Sequence, residues 1–217
     1  MERREKIPKA TITRLSLYYR HLELLEFDGY RTVASEKLAW LCQVNPAQVR
    51  KDLSLFGSFG TSGLGYRVKE LRAQLAAILG IDRIWYVAVF GVGNIGSALV
   101  GYKEFTRQGF HIIKLFDNDQ RKIGSNHKGI VISDIRNMGQ EVREAGIEMA
   151  IIAVPATVAQ RIVDDLVAIG IRAFLNFAPI NLKVPKDVYL RNENMAMELE
   201  YLSFAMVHKH KEKKPKY

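Results

Sequence analysis

Apolar positions in the first third of the chain recur at helical spacing. In residues 9–27 they fall three or four positions apart, and Asp28-Gly29 follows as a stop signal. A second, shorter helix is expected to begin at Ser35, whose hydroxyl suits a cap. The pattern therefore predicts two helices separated by a short turn.

A third helix is predicted directly afterwards. Asn45 is a strong N-cap and Pro46 is favoured at the first helical position, so this helix should begin here and run to Gly57. Two short helices joined by about three residues form a helix-turn-helix, whose second helix places its N-terminal residues on base edges in the DNA major groove. The residues directed away from the buried stripe of this helix are Gln48, Arg50, Lys51 and Ser54. A plain helical corner would show the same spacing.

Glycine alternates with apolar residues from Ser58 to Tyr66, which is typical of a tight β-hairpin. Such a wing, which includes Gly60, would approach a phosphate backbone or a minor groove. A fourth helix is predicted over residues 68–79, ending at Gly80. The first 80 residues thus favour a winged helix-turn-helix domain.

Beyond residue 80, strand and helix patterns alternate. Residues 84–90 are apolar throughout and predict a buried strand, and a helix is predicted over 157–169. Further strands are predicted at 112–116, 130–132, 149–154 and 173–177. Such alternation favours an α/β domain in which a parallel, doubly wound sheet carries helices on both faces. A last helix is predicted over residues 194–208.

A glycine-rich turn follows the first of these strands and opens a helix predicted near residues 98–105. It matches the dinucleotide-binding pattern G-x-G-x-x-G through Gly91, Val92, Gly93, Asn94, Ile95 and Gly96. In that pattern the first glycine permits the tight turn, the second lets the backbone approach a pyrophosphate, and the third lets helix and strand pack closely. A glycine turn in an α/β domain that binds no nucleotide is the alternative.

Asp117 ends the next predicted strand. A carboxylate at this position binds the ribose hydroxyls and repels a 2′-phosphate, so NAD(H) is favoured over NADP(H) as the cofactor. Arg121 and Lys122, which follow, soften this choice between the two cofactors, although a solvated pair after the strand is expected.

Prolines end two other strands of the predicted sheet, at Pro155 and in the segment Asn176-Phe177-Ala178-Pro179. The carboxyl ends of the strands line the crevice of an open α/β sheet, so Pro155 and Phe177 are candidates to flank the nicotinamide. Because it is costly to bury a cationic ring, an apolar pocket there would prefer the neutral, reduced form. The other interpretation is that these prolines only end strands.

The two parts of the chain, before and after residue 80, differ in charge. The chain has 217 residues and a formal net charge of +9; residues 1–80 hold 13 basic and 8 acidic side chains, and residues 81–207 hold 14 of each. The last ten residues add five lysines and one glutamate. A neutral block between two basic ones indicates that a polyanion meets the ends of the chain.

Composition excludes several classes of protein. Apolar residues make up 48% of the chain, as in an ordinary globular protein, and no apolar run approaches the roughly 20 residues of a membrane helix. No apolar segment of a signal peptide follows the charged start. Cys42 alone cannot form an internal disulfide or a multi-cysteine metal site, so a reducing, cytoplasmic location is expected.

A dehydrogenase needs an acid or base poised for proton transfer, and none is evident. No tyrosine has a lysine four residues on, and the five histidines show neither metal-ligand nor triad spacing. We therefore expect a regulator and not an enzyme, with no metal. The alternatives are an NAD-dependent oxidoreductase whose N-terminal helices form an oligomer interface, and a regulator that reads another adenine cofactor, such as coenzyme A.

Several runs of the sequence closely resemble the Rex family of redox-sensing transcriptional repressors. They are IPKATITRLSLYYR, VRKDLSLFGSFG with GLGY, FGVGNIGSAL, FDNDQRKIG, and IAVPA with NFAPINLKVP. These runs span residues 7–185, and their order and spacing are far more specific than any one motif.

The resemblance implies a cytoplasmic homodimer that binds palindromic operator DNA with NAD⁺ or no ligand and is released by NADH. It implies that neither a membrane nor a protein substrate is a partner. The domains would be a winged-helix domain at 1–80, a Rossmann NAD(H)-binding domain at 81–192, a dimerisation helix at 193–208 that is exchanged between subunits, and a basic, disordered tail at 209–217.

The resemblance also assigns roles to individual residues. Arg50 and Lys51 would contact the groove, and Arg14 would contact a phosphate. Gln48, Ser54 and Gly60 complete the candidate DNA contacts.

A switch is implied as well. In the family the arginine at the position of Arg20 pairs across the dimer with an acid at the start of the last helix. Asn194 stands at that position here. The alternatives are a hydrogen bond between Arg20 and Asn194, or a contact in which the neighbouring Glu193 takes the place of the acid. Tyr102 matches a tyrosine of the NADH-bound arrangement, or is simply an aromatic residue packed on the first Rossmann helix.

Overall fold

The structure is a computed structural model that describes residues 7–61 and 64–208. The chain divides into two compact units between Arg83 and Ile84, three residues beyond the boundary expected from the sequence. The tail expected at 209–217 lies outside the described residues.

Four helices and two short strands form the first unit. The helices are α1 (Lys9–Phe27), α2 (Ser35–Leu41), α3 (Pro46–Ser54) and α4 (Val68–Leu79), and the strands are β1 (Thr32–Val33) and β2 (Tyr66–Arg67). The core between the helices is made by Leu15, Tyr18, Leu22, Leu38, Val49, Leu53, Leu71 and Leu75.

The helix ends follow their local signals with two exceptions. The Asn45 side chain caps α3 by accepting a hydrogen bond from Ala47 N at 2.7 Å, as expected. However, α3 ends at Ser54 and not at Gly57. The prediction that Ser35 caps α2 is wrong: Ala34 occupies the cap, and Ser35 is the first helical residue.

The wing is built differently from a simple hairpin within residues 58–66. Thr61 and Gly65 form an antiparallel bridge, and residues 62–63 between them lie outside the described ranges. The chain then enters β2, which pairs antiparallel with β1, the strand that precedes α2 in the chain.

The second unit is built on a seven-stranded sheet with the order β5-β6-β4-β3-β7-β8-β9. The strands are β3 (Trp85–Phe90), β4 (Phe110–Asp117), β5 (Asn126–His127), β6 (Ile130–Asp134), β7 (Met149–Ile152), β8 (Ala173–Asn176) and β9 (Tyr189–Asn192). All neighbours are parallel except β5 and β6. Without that edge strand the order is the doubly wound one, with its reversal between β3 and β7, where such sheets bind nucleotides.

The helices of this unit are α5 (Asn94–Val100), α6 (Lys103–Arg107), α7 (Met138–Glu144), α8 (Ala156–Ala168) and α9 (Met195–His208), with a 3₁₀ turn at Ile135–Asn137. The helix expected after the glycine turn begins earlier than predicted and is interrupted between Val100 and Lys103.

The last helix, α9, has no buried residue. Its apolar side chains are between 57% and 71% exposed: Met195, Met197, Leu199, Tyr201, Leu202, Phe204, Met206 and Val207. A helix that is apolar on every side normally lies inside a packed assembly.

Candidate functional site

The three glycines of the turn after β3 have distinct structural roles. Gly91 has φ +91°, and a Cβ there would overlap the carbonyl oxygen of Ala153. A Cβ on Gly96 would overlap the carbonyl oxygen of Gly91, so this position lets α5 pack on the turn. A Cβ on Gly93 would meet nothing within 4 Å. Gly93 is therefore the position at which the backbone is open to a ligand.

A cleft of about 780 Å³ opens beside this turn. Its lining includes four of the predicted cofactor residues, Gly91, Gly93, Asp117 and Pro155. Residues outside the predicted cofactor set complete it: Asn118, Asp119, Lys122, Ile135, Arg136, Met138, Ala153, Val154, Val158, Arg161, Ile162 and Asp165. The volume suits a nucleotide-sized ligand.

The other predicted cofactor residues lie outside this lining. Val92 is buried, and Asn94 and Ile95 are exposed in the first turn of α5. Phe177 is partly buried against the apolar cluster beneath β3. Tyr102 is half exposed before α6, and its ring lies edge-on to Phe105 at 5.1 Å.

The Asp117 carboxylate is buried and holds the glycine turn. Its Oδ2 accepts a hydrogen bond from Val92 N at 2.8 Å, and its Oδ1 accepts one from Asp119 N at 2.9 Å. Burial raises the pKa of Asp117, but these bonds and the one from Lys122 outweigh it and lower the pKa below its usual value. A ribose contact by Asp117 would have to share oxygens that already anchor the turn.

The expectation that Lys122 is solvated is wrong. Its Nζ donates to Asp117 Oδ2 at 3.1 Å and to the Val92 carbonyl at 3.2 Å, so it ties the end of β4 to the glycine turn. Arg121, in contrast, is largely exposed and pairs with Asp119, which lowers the pKa of Asp119 to about 2.

Two cations of the cleft had no signal in the glycine pattern. Arg136 follows β6 and pairs with Asp134, whose pKa falls to about 2. Arg161 lies in the second turn of α8, with an exposed side chain. Both come from segments far from residue 91 in sequence, so only the fold brings them to the cleft.

The predicted DNA contacts of the first unit divide into exposed and engaged side chains. Lys51 and Ser54 are exposed on α3. The Arg50 Nη1 donates to Ser35 Oγ at 2.8 Å and reaches Glu36 Oε1 at 3.3 Å, so α2 holds its guanidinium. Gly60 has φ +78°, and a Cβ there would lie 2.5 Å from the Gly65 carbonyl oxygen, which explains the glycine in the wing.

Gln48 and Arg14 point to a buried carboxylate that the sequence analysis missed. Asp52, on α3, is 1% exposed and accepts hydrogen bonds from Arg14 at 2.6 and 2.7 Å and from Gln48 Nε2 at 2.8 Å. The hydroxyls of Tyr18 and Thr11 donate to it at 2.9 and 3.4 Å. Arg14 thus joins α1 to the predicted recognition helix.

The predicted switch residues lie on separate units. Arg20 is exposed on α1. Asn194 precedes α9, and its Oδ1 accepts hydrogen bonds from Ala196 N at 3.0 Å and Met197 N at 3.4 Å. Asn194 is therefore the N-cap of α9.

Within the described ranges, 7–61 and 64–208, no group of three or more histidine, cysteine, aspartate or glutamate side chains is arranged to hold a metal ion. In the same part of the chain, every helix is too short or too polar to cross a membrane.

Two family models match the chain, one over each unit. A model described as "Putative DNA-binding protein N-terminus" covers residues 6–54, and one described as a CoA binding domain covers residues 82–180. The two matches agree with a DNA-binding unit followed by a nucleotide-binding unit.

Full-length relatives decide the family. A protein of Desulforamulus reducens is 47% identical over 206 residues, which cover 95% of this chain and 98% of the relative. One of Carboxydothermus hydrogenoformans is 47% identical over 92% of this chain and 96% of its own length. Both are named redox-sensing transcriptional repressor Rex. This chain belongs to the Rex family.

Solved structures agree with the Rex assignment. The crystal structure of RSP in complex with β-NAD⁺ and operator DNA matches with a TM-score of 0.89 and 33% identity, over 94% of each chain. RSP in complex with β-NADH matches with a TM-score of 0.84 and 33% identity, over 94% of this chain and 96% of that one. The predicted fold, a winged-helix unit followed by a Rossmann unit, is confirmed. The Rex relatives are named transcriptional repressors, which confirms the prediction of a regulator and not an enzyme.

Proposed function

We propose that this protein represses transcription by binding operator DNA as a homodimer, and that it leaves the DNA when NADH occupies the cleft beside the glycine turn. The observation that carries the proposal is the presence in one chain of an exposed recognition-helix surface and a nucleotide cleft with an open backbone at Gly93. Neither feature alone would distinguish a redox sensor from an ordinary repressor or dehydrogenase.

The cleft fits a dinucleotide at its phosphate end. Gly93 leaves room where a pyrophosphate must approach, and Gly91 and Gly96 set the turn and the helix packing that make this room. Of the residues around the turn, Asn94 and Ile95 would face the phosphates through the backbone N–H groups of the first turn of α5. Val92, whose N–H donates to Asp117, would contribute by holding the turn in place. Asp117 would keep the turn in place and take part in ribose binding.

Discrimination between NADH and NAD⁺ has to occur near the nicotinamide, since the two differ only there. We assign the apolar surroundings of the ring to Pro155, Phe177 and Pro179, with Met195 supplied by the partner's last helix. An apolar site disfavours the cationic ring of NAD⁺. To move a dimer from 1:99 to 99:1 between its two states, the differential affinity must reach about 5.5 kcal/mol over its sites.

On the DNA, we assign groove contacts to Arg50, Lys51, Gln48 and Ser54, and backbone contacts to Arg14 and the wing at Gly60. Lys51 and Ser54 are exposed as this requires. Arg14 and Gln48 are bound to Asp52, so their contribution would be made from that fixed position.

A homodimer accounts for the exposed apolar surface of α9. A second copy of the chain would bury side chains that are more than half exposed here, through exchange of this helix. Two-fold symmetry then predicts palindromic half-sites about 34–36 Å apart, one DNA turn. Arg20, Tyr102 and Asn194 would form the contacts that change with the bound nucleotide, and the protein would act in the cytoplasm, where it meets DNA and NAD(H).

Fluorescence anisotropy with a labelled fragment of the DNA upstream of the protein's own gene tests the proposal. We expect tight binding without nucleotide or with NAD⁺, and release with NADH. NADPH and coenzyme A serve as comparison ligands, the latter because of the family model that matches residues 82–180. Equal effects of NADH and NAD⁺ would refute redox sensing, and release by coenzyme A alone would show that a different adenine cofactor is read.

A further inference from the structure

A buried amide lies at the end of β8, in the segment that approaches the crevice. Asn176 is fully buried, and its Nδ2 faces the carbonyl oxygens of Ala178 and Ile180, each at 3.1 Å. Its Oδ1 accepts a hydrogen bond from Ala178 N at 2.9 Å. These bonds hold the turn that carries Phe177 and Pro179 in one conformation, because a buried polar group must keep its partners.

The same residue also holds the chain just before α9. Asn176 Nδ2 also lies 2.9 Å from Asn192 Oδ1, so its two N–H groups are shared among three acceptors. The Asn176 carbonyl accepts a hydrogen bond from Glu193 N at 2.8 Å. The next residue, Asn194, is the N-cap of α9. One amide therefore joins the crevice end of β8 to the position at which α9 begins.

The turn is tied to the nucleotide cleft on its other side. Phe177 N donates to the Ile152 carbonyl at 2.8 Å, at the end of β7, and the next residue, Ala153, lines the cleft. A displacement of the turn by a ligand thus has a short, continuous route of packed and hydrogen-bonded groups from Ala153 to Asn194.

We propose that Asn176 is a positioning residue that couples the nucleotide crevice to the start of α9, through its hydrogen bond to Asn192. The inference rests on the function proposed above, and it assigns a residue to the coupling that the function requires. The backbone ladder between β8 and β9 already pairs the strands as far as Asn176 and Asn192. The side-chain bond adds a constraint at the end of the ladder, where α9 is attached.

The Asn192 side of this bond can be removed at little cost to folding, since Asn192 is exposed. Asn192→Ala deletes the acceptor and leaves the bonds within the turn intact. Asn192→Asp keeps an acceptor for Asn176 Nδ2. Asn126→Ala is a matched control, because Asn126 lies on β5 at the opposite edge of the sheet and likewise accepts one hydrogen bond, from Gly129 N at 2.9 Å.

The readout is the ratio of operator dissociation constants with and without saturating NADH, measured by anisotropy on the full chain, together with NADH affinity from nucleotide fluorescence. We expect Asn192→Ala to lower this ratio about tenfold, within the range usual for allosteric coupling, and to change NADH affinity and nucleotide-free operator affinity by less than about threefold. Asn192→Asp and Asn126→Ala should keep the wild-type ratio.

An unchanged ratio in Asn192→Ala would overturn the proposal. So would a loss of operator binding in this variant without nucleotide, because Asn192 would then maintain the assembly and not the coupling. An equal fall of the ratio in Asn126→Ala would also overturn it, since any edge asparagine would have the same effect. A wild-type protein that NADH does not release would instead refute the proposed function itself.

Discussion

Replacing Asp52 with alanine removes the carboxylate on which α1 and α3 both depend. The side chain is 1% exposed and accepts hydrogen bonds from the Arg14 guanidinium, the Tyr18 hydroxyl and the Gln48 amide. In the variant these groups remain, but the group that satisfies them is lost. We expect the first unit to lose stability for this reason.

The size of the expected loss of unfolding free energy follows from how deeply each hydrogen-bond partner of Asp52 is buried. Removing one member of a buried ion pair costs about 3–5 kcal/mol, and the lower end applies here because the Arg14 side chain is 22% exposed and keeps access to water. The Tyr18 hydroxyl is buried and loses its acceptor, which costs about 1–3 kcal/mol. The two costs overlap, so a total near 4 kcal/mol is expected; at about 4–8 °C per kcal/mol, the melting temperature of an 80-residue unit should fall by about 16 °C or more.

Differential scanning calorimetry of the full chain measures this loss, and NADH binding reports whether the second unit remains folded. Glu36→Ala is the matched control, because Glu36 is also a carboxylate paired with an arginine of this unit but is 67% exposed. Exposed pairs contribute about 0–1 kcal/mol, so Glu36→Ala should melt close to the wild type. If Asp52→Ala melts as the control does, the role assigned to Asp52 is wrong.

The pH dependence of the free energy of unfolding gives a second test of the role of Asp52. Burial raises the pKa of Asp52, but the hydrogen bonds from Arg14, Tyr18 and Gln48 outweigh it and lower the pKa below its usual value. A carboxylate with a lowered folded pKa stabilises the fold above its unfolded pKa of about 3.9, and this contribution is lost as the pH falls through the folded value. The wild type should therefore lose more stability than Asp52→Ala between pH 5 and the folded pKa. If the free energies of unfolding of the two proteins fall in parallel as the pH is lowered, this reasoning is wrong.

The remaining predictions concern the two binding surfaces. Lys51→Ala should weaken operator binding and leave NADH affinity unchanged, because Lys51 is assigned to the groove; anisotropy and an NADH titration measure the two affinities, and a change in NADH affinity alone would contradict the assignment. Gly93→Ala should fold normally, because its Cβ has open space, but lose NADH affinity in a fluorescence titration. Gly96→Ala should instead lower the melting temperature, since its Cβ overlaps the Gly91 carbonyl; the opposite pattern in the two variants would exchange the roles of these glycines.

The elements that local signals define could be predicted from the sequence. The bounds of α1 and α4 follow from apolar spacing and from glycine stop signals, and Gly80 ends α4 with φ +68° as such a signal requires. The role of Gly96 follows from the same kind of information, because its Cβ would meet Gly91, five residues earlier, whereas the close approach of Gly91 to Ala153 is made only by the fold. Fold class was therefore accessible before any three-dimensional information.

The contacts that join distant segments could not be predicted. Nothing in the local sequence distinguishes Asp52 from an exposed polar residue of a helix. Its partners Arg14 and Tyr18 are 38 and 34 residues away. Lys122 likewise looks solvated until the fold brings it to the Val92 carbonyl, 30 residues earlier. The strands β1 and β5, of two residues each, are too short for a periodic signal.

The resemblance to the Rex family implies an acid at residue 194, where this chain has asparagine, so a cap and a charge would be separated there. Asparagine and aspartate are about equally good N-caps, so Asn194 retains the start of α9 that an acid would give. It does not retain a negative charge for Arg20. The proposed nucleotide-dependent contact with Arg20 would therefore depend on hydrogen-bond geometry at Asn194 or on the charge of the neighbouring Glu193, whose Oε1 lies 3.6 Å from Arg191. Either arrangement depends on how the chain is held immediately before α9, which is the point that Asn176 fixes.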